Sequence, residues 1–178
     1  MQDEPLRTAF TVARSAERCA YWAPRHWPDL AVVLLVARFE DPEIAELAGL
    51  PASVTGWDTD PLLSALYERY EVRAPQIEDA VAVLARLMTD DLRARPAAVT
   101  APMIRLVARL APPDHESDLA NACFGCEEYL DCECGRVDPQ FESELENLPP
   151  LQLPDGLVQV LARPLRATLP LVQPQRSH

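Results

Sequence analysis

Apolar residues recur at three- and four-residue intervals through the first two thirds of the chain, the spacing of one face of a helix. Leu6, Phe10, Ala13, Ala16 and Ala20 make one stripe, and Leu62, Leu66 and Tyr70 another. The clearest is Ile77, Val81, Leu84, Met88 and Leu92, with Glu78, Asp79, Arg86, Asp90 and Asp91 mostly opposite. The pattern resumes from Ala98 to Leu110, where Pro102 either kinks the helix or marks its start. Helix starts are signalled by an aspartate followed by proline at Asp41-Pro42, Asp60-Pro61 and Asp138-Pro139. There the carboxylate caps the free N–H groups and the proline fills the first helical position. Pro5, Pro28 and Pro75 can open helices in the same way.

The stretch Val32-Val33-Leu34-Leu35-Val36 has no polar side. It reads as a helix because no partner strands occur elsewhere, and a helix apolar all round belongs in the middle of a bundle. These elements predict an all-α fold, an antiparallel helical bundle or stacked helical hairpins, with at least five helices between residues 5 and 111. One domain is expected over 1–178. It divides into a helical core at 1–112, an acidic cysteine-rich segment at 113–147, and a proline-rich strap, last helix and tail at 148–178. Leu148-Pro-Pro-Leu-Gln-Leu-Pro154 predicts an extended, polyproline-like strap.

Composition narrows the chemistry. Of 178 residues 48% are apolar, enough for a core. All 16 cations are arginine, so a phosphate-loop lysine, a lysine Schiff base and a lysine general base are excluded. The five glycines form no G-x-G-x-x-G or G-x-S-x-G arrangement. No catalytic motif emerges, and the expectation is a protein that is not an enzyme. Arginine without lysine, beside abundant alanine and proline, suggests the codon bias of a GC-rich bacterial genome.

The net charge of −12 is unevenly spread. Residues 114–146 hold eleven acidic side chains against Arg136 alone, so this segment carries −10. That concentration disfavours nucleic acid and favours a basic protein partner, drawn in by electrostatic steering. An inhibitor or immunity-type protein is the most concrete form of that expectation. Glu127, Glu128, Asp131 and Glu133 are the candidate steering charges, and Trp22 and Trp27, beside Arg25 and His26, the candidate apolar anchors. The acidic N-terminal residues do not read as a secretion signal. The longest apolar run, ending at Ala37, falls far short of the ~18 residues that span a bilayer. A cytoplasmic location and no membrane contact are therefore expected; oligomeric state is left open.

Four of the five cysteines lie close together, as Cys123-Phe-Gly-Cys126 and Cys132-Glu-Cys134. The first pair has zinc-knuckle spacing, with Gly125 supplying backbone freedom for a tight turn. All four thiolates are candidate ligands of one structural zinc ion, although the surrounding carboxylates oppose thiolate formation. Cys19 and His26 have no spacing that brings a nucleophile to a base. The segment 41–57, from Glu43-Ile-Ala-Glu-Leu-Ala-Gly49 to Val54, resembles the start of a helix-turn-helix. The resemblance implies, as an alternative function, a metal-containing transcriptional regulator.

Overall fold

The computed structural model describes residues 3–93, 100–112, 114–130 and 139–168. Every regular element among them is helical: α1 (Asp3–Arg18), a 3-10 turn (Pro24–His26), α2 (Trp27–Val36), α3 (Pro42–Ala48), α4 (Gly56–Arg69) and α5 (Ile77–Arg93), followed by α6 (Thr100–Val107), α7 (Asp118–Leu130), α8 (Pro139–Glu146) and α9 (Asp155–Thr168). The expected all-α class is what the chain adopts, with six of these helices starting before residue 111.

The central helix is α5, which packs against α1, α6, α7 and α9. Its stripe Ile77, Val81, Leu84, Met88 and Leu92 is buried throughout, joined by Ala80, Ala85 and Leu87. The expectation of a central α2 is corrected. That helix lies against α3 and α9 and leaves Val32 47% and Val36 77% exposed. A uniformly apolar sequence has no direction to read, and here burial takes only Trp27, Leu30, Ala31 and Leu34. At the α1–α2–α4 junction Phe10 stacks on Tyr70 (5.9 Å between centroids) and meets the Tyr67 ring edge-on (6.3 Å).

Asp41 caps α3 as expected, accepting the Glu43 N–H at 3.0 Å. Asp60-Pro61 does not open α4. The helix begins five residues earlier, where the Asp58 carboxylate accepts the N–H (2.8 Å) and hydroxyl (2.7 Å) of Thr55, and Pro61 falls inside it. A pair of satisfied donors at Thr55 outweighs the proline signal.

Three helices end alike, and without glycine. After α1, α2 and α4 the chain turns through Ala20, Arg38 and Glu71 at positive φ (62°, 68° and 53°). Each turn closes two backbone bonds, from Ala20 to Glu17 and Tyr21 to Ala16, from Arg38 to Leu35 and Phe39 to Leu34, and from Glu71 to Glu68 and Val72 to Tyr67. These are Schellman ends, each followed by an apolar residue.

The 148–154 connection lies along α5. Arg86 donates to the carbonyls of Pro149 (2.8 Å) and Pro150 (3.0 Å), Arg93 to that of Leu148 (3.2 Å), and the Leu151 N–H to Asp90 (2.9 Å). Arg86, Asp90 and Arg93 form one helical row, so a single face of α5 holds the strap. Gln152 departs from the polyproline expectation with φ 58°. From there α9 returns to bury Leu157, Leu161 and Leu165 against the bundle.

Candidate functional site

The acidic segment is organised around α7. Its first turn is capped by Ser117, whose hydroxyl accepts the Ala120 N–H at 3.3 Å. Ala120 and Cys123, three residues apart, are buried on its inner face, where α7 meets α6 and α5. The outer face carries Phe124, 57% exposed although it is one of only four phenylalanines in the chain. Glu127 is held by an ion pair with Arg109 (2.5 Å), whose own carbonyl accepts the Tyr21 hydroxyl (2.5 Å). That chain of contacts ties the outer half of α7 to the corner after α1.

The cysteine expectation changes at this point. Cys123 and Cys126 do not flank a knuckle turn: α7 runs through both, and Gly125 sits within it at an ordinary negative φ. Cys123 is fully buried and Cys126 half-buried. Burial, with a smaller contribution from Cys126, pushes the Cys123 thiol up to about 12. Cys132, Cys134, Asp131 and Glu133 lie outside the described residues, as does Asp138 of the third Asp-Pro pair. Among the described residues no group of three or more His, Cys, Asp and Glu comes together. Glu128 is in the last turns of α7.

Trp22 and Trp27 face inward, 6% and 1% exposed, with their rings edge-to-face at 5.5 Å. The Trp27 indole donates to Glu17 at 3.1 Å, while the buried Trp22 indole N–H has no acceptor among the described residues. His26 lies against Trp22, and its Nδ1 accepts the Ala23 N–H at 3.0 Å. Burial first, then Arg25, lowers its pKa. The pair therefore forms the packed corner between α1 and α2, and an apolar anchor has to be sought on the surface. Cys19 beside it is buried, and that burial pushes its thiol up to about 11, the opposite of an activated nucleophile.

The surface aromatic that the sequence did not single out is Trp57, 91% exposed in the first turn of α4. It follows the connection 49–55, whose seven residues exceed the three or four of a helix-turn-helix turn. The same turns of α4 expose Asp58 and Asp60, where phosphate contacts would need cations. An open groove of about 720 Å³ runs between α1, α5 and the strap, lined by Arg7, Thr8, Thr11, Val83, Arg86 and Gln152 among others. It contains none of the candidate partner-binding or metal-ligating residues, and its Arg86 is engaged in holding the strap.

Among the described residues no helix is long and apolar enough to cross a membrane. Comparison with protein-family models, curated proteins and solved structures finds no match to this chain.

Proposed function

We propose that this chain is a non-enzymatic protein-binding module, of inhibitor or immunity type, whose α7 region meets a basic protein partner. The observation that carries the reading is Phe124, 57% exposed on a helix of the segment that holds −10 of the −12 net charge. An exposed aromatic in a segment dominated by one sign of charge suits two stages of binding. The carboxylates accelerate encounter with a cationic surface, and the ring then fills an apolar pocket and slows dissociation. The partner this fits has clustered arginine or lysine around an apolar depression.

The test separates those stages. A partner is co-purified from the native cell at low salt, and its kinetics are measured against two variants. Changing Glu127, Glu128, Asp131 and Glu133 together to Gln or Asn should lower the association rate and flatten its salt dependence. Phe124→Ala should instead raise the dissociation rate, with a cost of about 2 kcal/mol or more if the ring is a central anchor. A partner indifferent to both variants at low salt would remove α7 as the binding face.

A further inference from the structure

We propose that the outer face of α4 is a docking site for an arginine-bearing segment of a partner protein, received between the Trp57 indole and the Asp60 carboxylate. α4 packs chiefly on α3, and it buries Thr59, Leu63 and Leu66 on one side. On the other side Trp57, Pro61, Ser64 and Glu68 follow one another at helical spacing, all of them exposed. Trp57 is 91% exposed in a chain that buries both of its other tryptophans. An indole left in water forgoes one of the largest apolar burials a side chain offers.

Charge says what would cover it. Between residues 39 and 68 the chain has seven acidic residues and no arginine, lysine or histidine. Arg69, just beyond, neutralises two of them, pairing with Asp41 and forking onto Glu43 at 2.8 Å to each oxygen. Glu40, Glu46, Asp58, Asp60 and Glu68 are exposed, and among the described residues none of the five has an ion pair. The Asp60 carboxylate lies back over the first turn, both oxygens 3.7 Å from where a Cβ on Gly56 would stand, beside Trp57 in the chain. Asp58 accepts both Thr55 donors on Oδ2, which leaves Oδ1 without a donor among the described residues.

An open aromatic ring beside unpaired carboxylates suits a cation, and tryptophan attracts one more strongly than tyrosine or phenylalanine. Arginine fits best. Its planar guanidinium stacks on the ring while its edge forks onto a carboxylate, and an ammonium can do neither. Ten residues further along α4 the chain makes this contact within itself. There the Arg14 guanidinium lies 4.2 Å from the centre of the Tyr67 ring, whose hydroxyl donates to Glu17 at 3.4 Å. Trp57 and Asp60 repeat the ring and the carboxylate without the arginine. The site does not depend on the role given to α7.

The experiment uses the whole protein with two probes, hexa-arginine amide and hexa-lysine amide. Trp57 is the tryptophan that acrylamide can reach, so fluorescence quenching reports on this face, and Trp57→Phe should abolish most of it. Hexa-arginine amide should shield Trp57 at a concentration several-fold lower than hexa-lysine amide requires. Asp60→Asn should raise that concentration several-fold and flatten its salt dependence, with the helical circular dichroism spectrum unchanged. Neutralising Glu127, Glu128, Asp131 and Glu133 should leave the shielding in place. Trp57 quenched equally with and without hexa-arginine amide would overturn the site, as would shielding that is lost with the α7 carboxylates and not with Asp60. Equal shielding by the two peptides would overturn the choice of arginine. Shielding that grows with protein concentration in the absence of peptide would give the face to a second copy and overturn the partner.

Discussion

Glu78 caps a helix to which it does not belong. From the first turn of α5 its carboxylate accepts the backbone N–H of Asp118 at 2.9 Å and of Leu119 at 3.4 Å, the opening residues of α7. An anion at a helix start satisfies orphan donors and meets the positive end of the helix dipole. The contact fastens the acidic segment to the central helix.

Glu78→Ala should therefore destabilise the protein by about 1 kcal/mol, the usual worth of a lost cap, because Ser117 continues to hold Ala120. Glu78→Gln keeps an acceptor and should lose less. Amide exchange at 118–120 should speed up more than exchange in α1. Protection unchanged in both variants would show that Glu78 does not hold α7.

Two carboxylates should bend the pH profile of stability in opposite senses. Burial raises the pKa of Glu17, against the hydrogen bonds from Trp27 and Tyr67. Between the ordinary carboxylate value and that raised one the folded state holds more protons, so stability falls as pH rises through the window. Glu17→Gln keeps an acceptor for Trp27 and should raise the melting temperature at neutral pH. At Asp41 burial also acts upward, but hydrogen bonds from Arg69, Glu43 and Tyr70 prevail and hold the pKa below the ordinary value. Its contribution is present above the ordinary value and is lost as pH falls through the lowered one. Asp41→Asn should remove that acid-side slope. Melting curves between acid and neutral pH, recorded for both variants, check the two signs.

Leu84 is 0% exposed at the middle of α5. Leu84→Ala should cost about 2–5 kcal/mol, transfer and cavity together. A urea midpoint equal to that of the unaltered protein would refute the placement of the core.

Glycine at the left-handed helix ends should stabilise. Arg38 and Glu71 are exposed and held at positive φ. Arg38→Gly or Glu71→Gly relieves a Cβ clash worth about 1–2 kcal/mol, less the extra backbone entropy of an unfolded glycine, about 0.5–1 kcal/mol. The net rise of a few tenths to about 1 kcal/mol should appear as a higher urea midpoint. Both variants falling below the parent would mean that the side chains contribute more than the strain costs.

What could be read in advance follows from where the physics is local. The α5 stripe was legible because apolar and charged residues alternate at helical spacing, and Asp41-Pro42 because capping is a contact between sequence neighbours. The start of α4 was misplaced because the Asp60-Pro61 signal competes with Thr55 and Asp58, whose T-x-x-D pattern was also available. The outward side of α2 was illegible: Val32 and Leu34 are alike in sequence, and only the positions of α3 and α9 tell them apart. Gly125 suggested a turn, yet tertiary packing carries α7 through it despite a helix-interior cost of about 1 kcal/mol. Trp57 gave no signal, since a tryptophan in sequence reads as core and its exposure depends on what fails to cover it.

The strap gives α5 a dependence on order of synthesis. Arg86 and Asp90 find their partners at residues 149–151, more than fifty positions downstream, and α9, which also packs against α5, arrives later still. A nascent chain that has emerged only through α5 holds α1 against one flank and has nothing yet for the others. Native stability is therefore reached only once the strap and α9 have left the ribosome, and products truncated before α9 leave a flank of α5 uncovered for the quality-control machinery to meet.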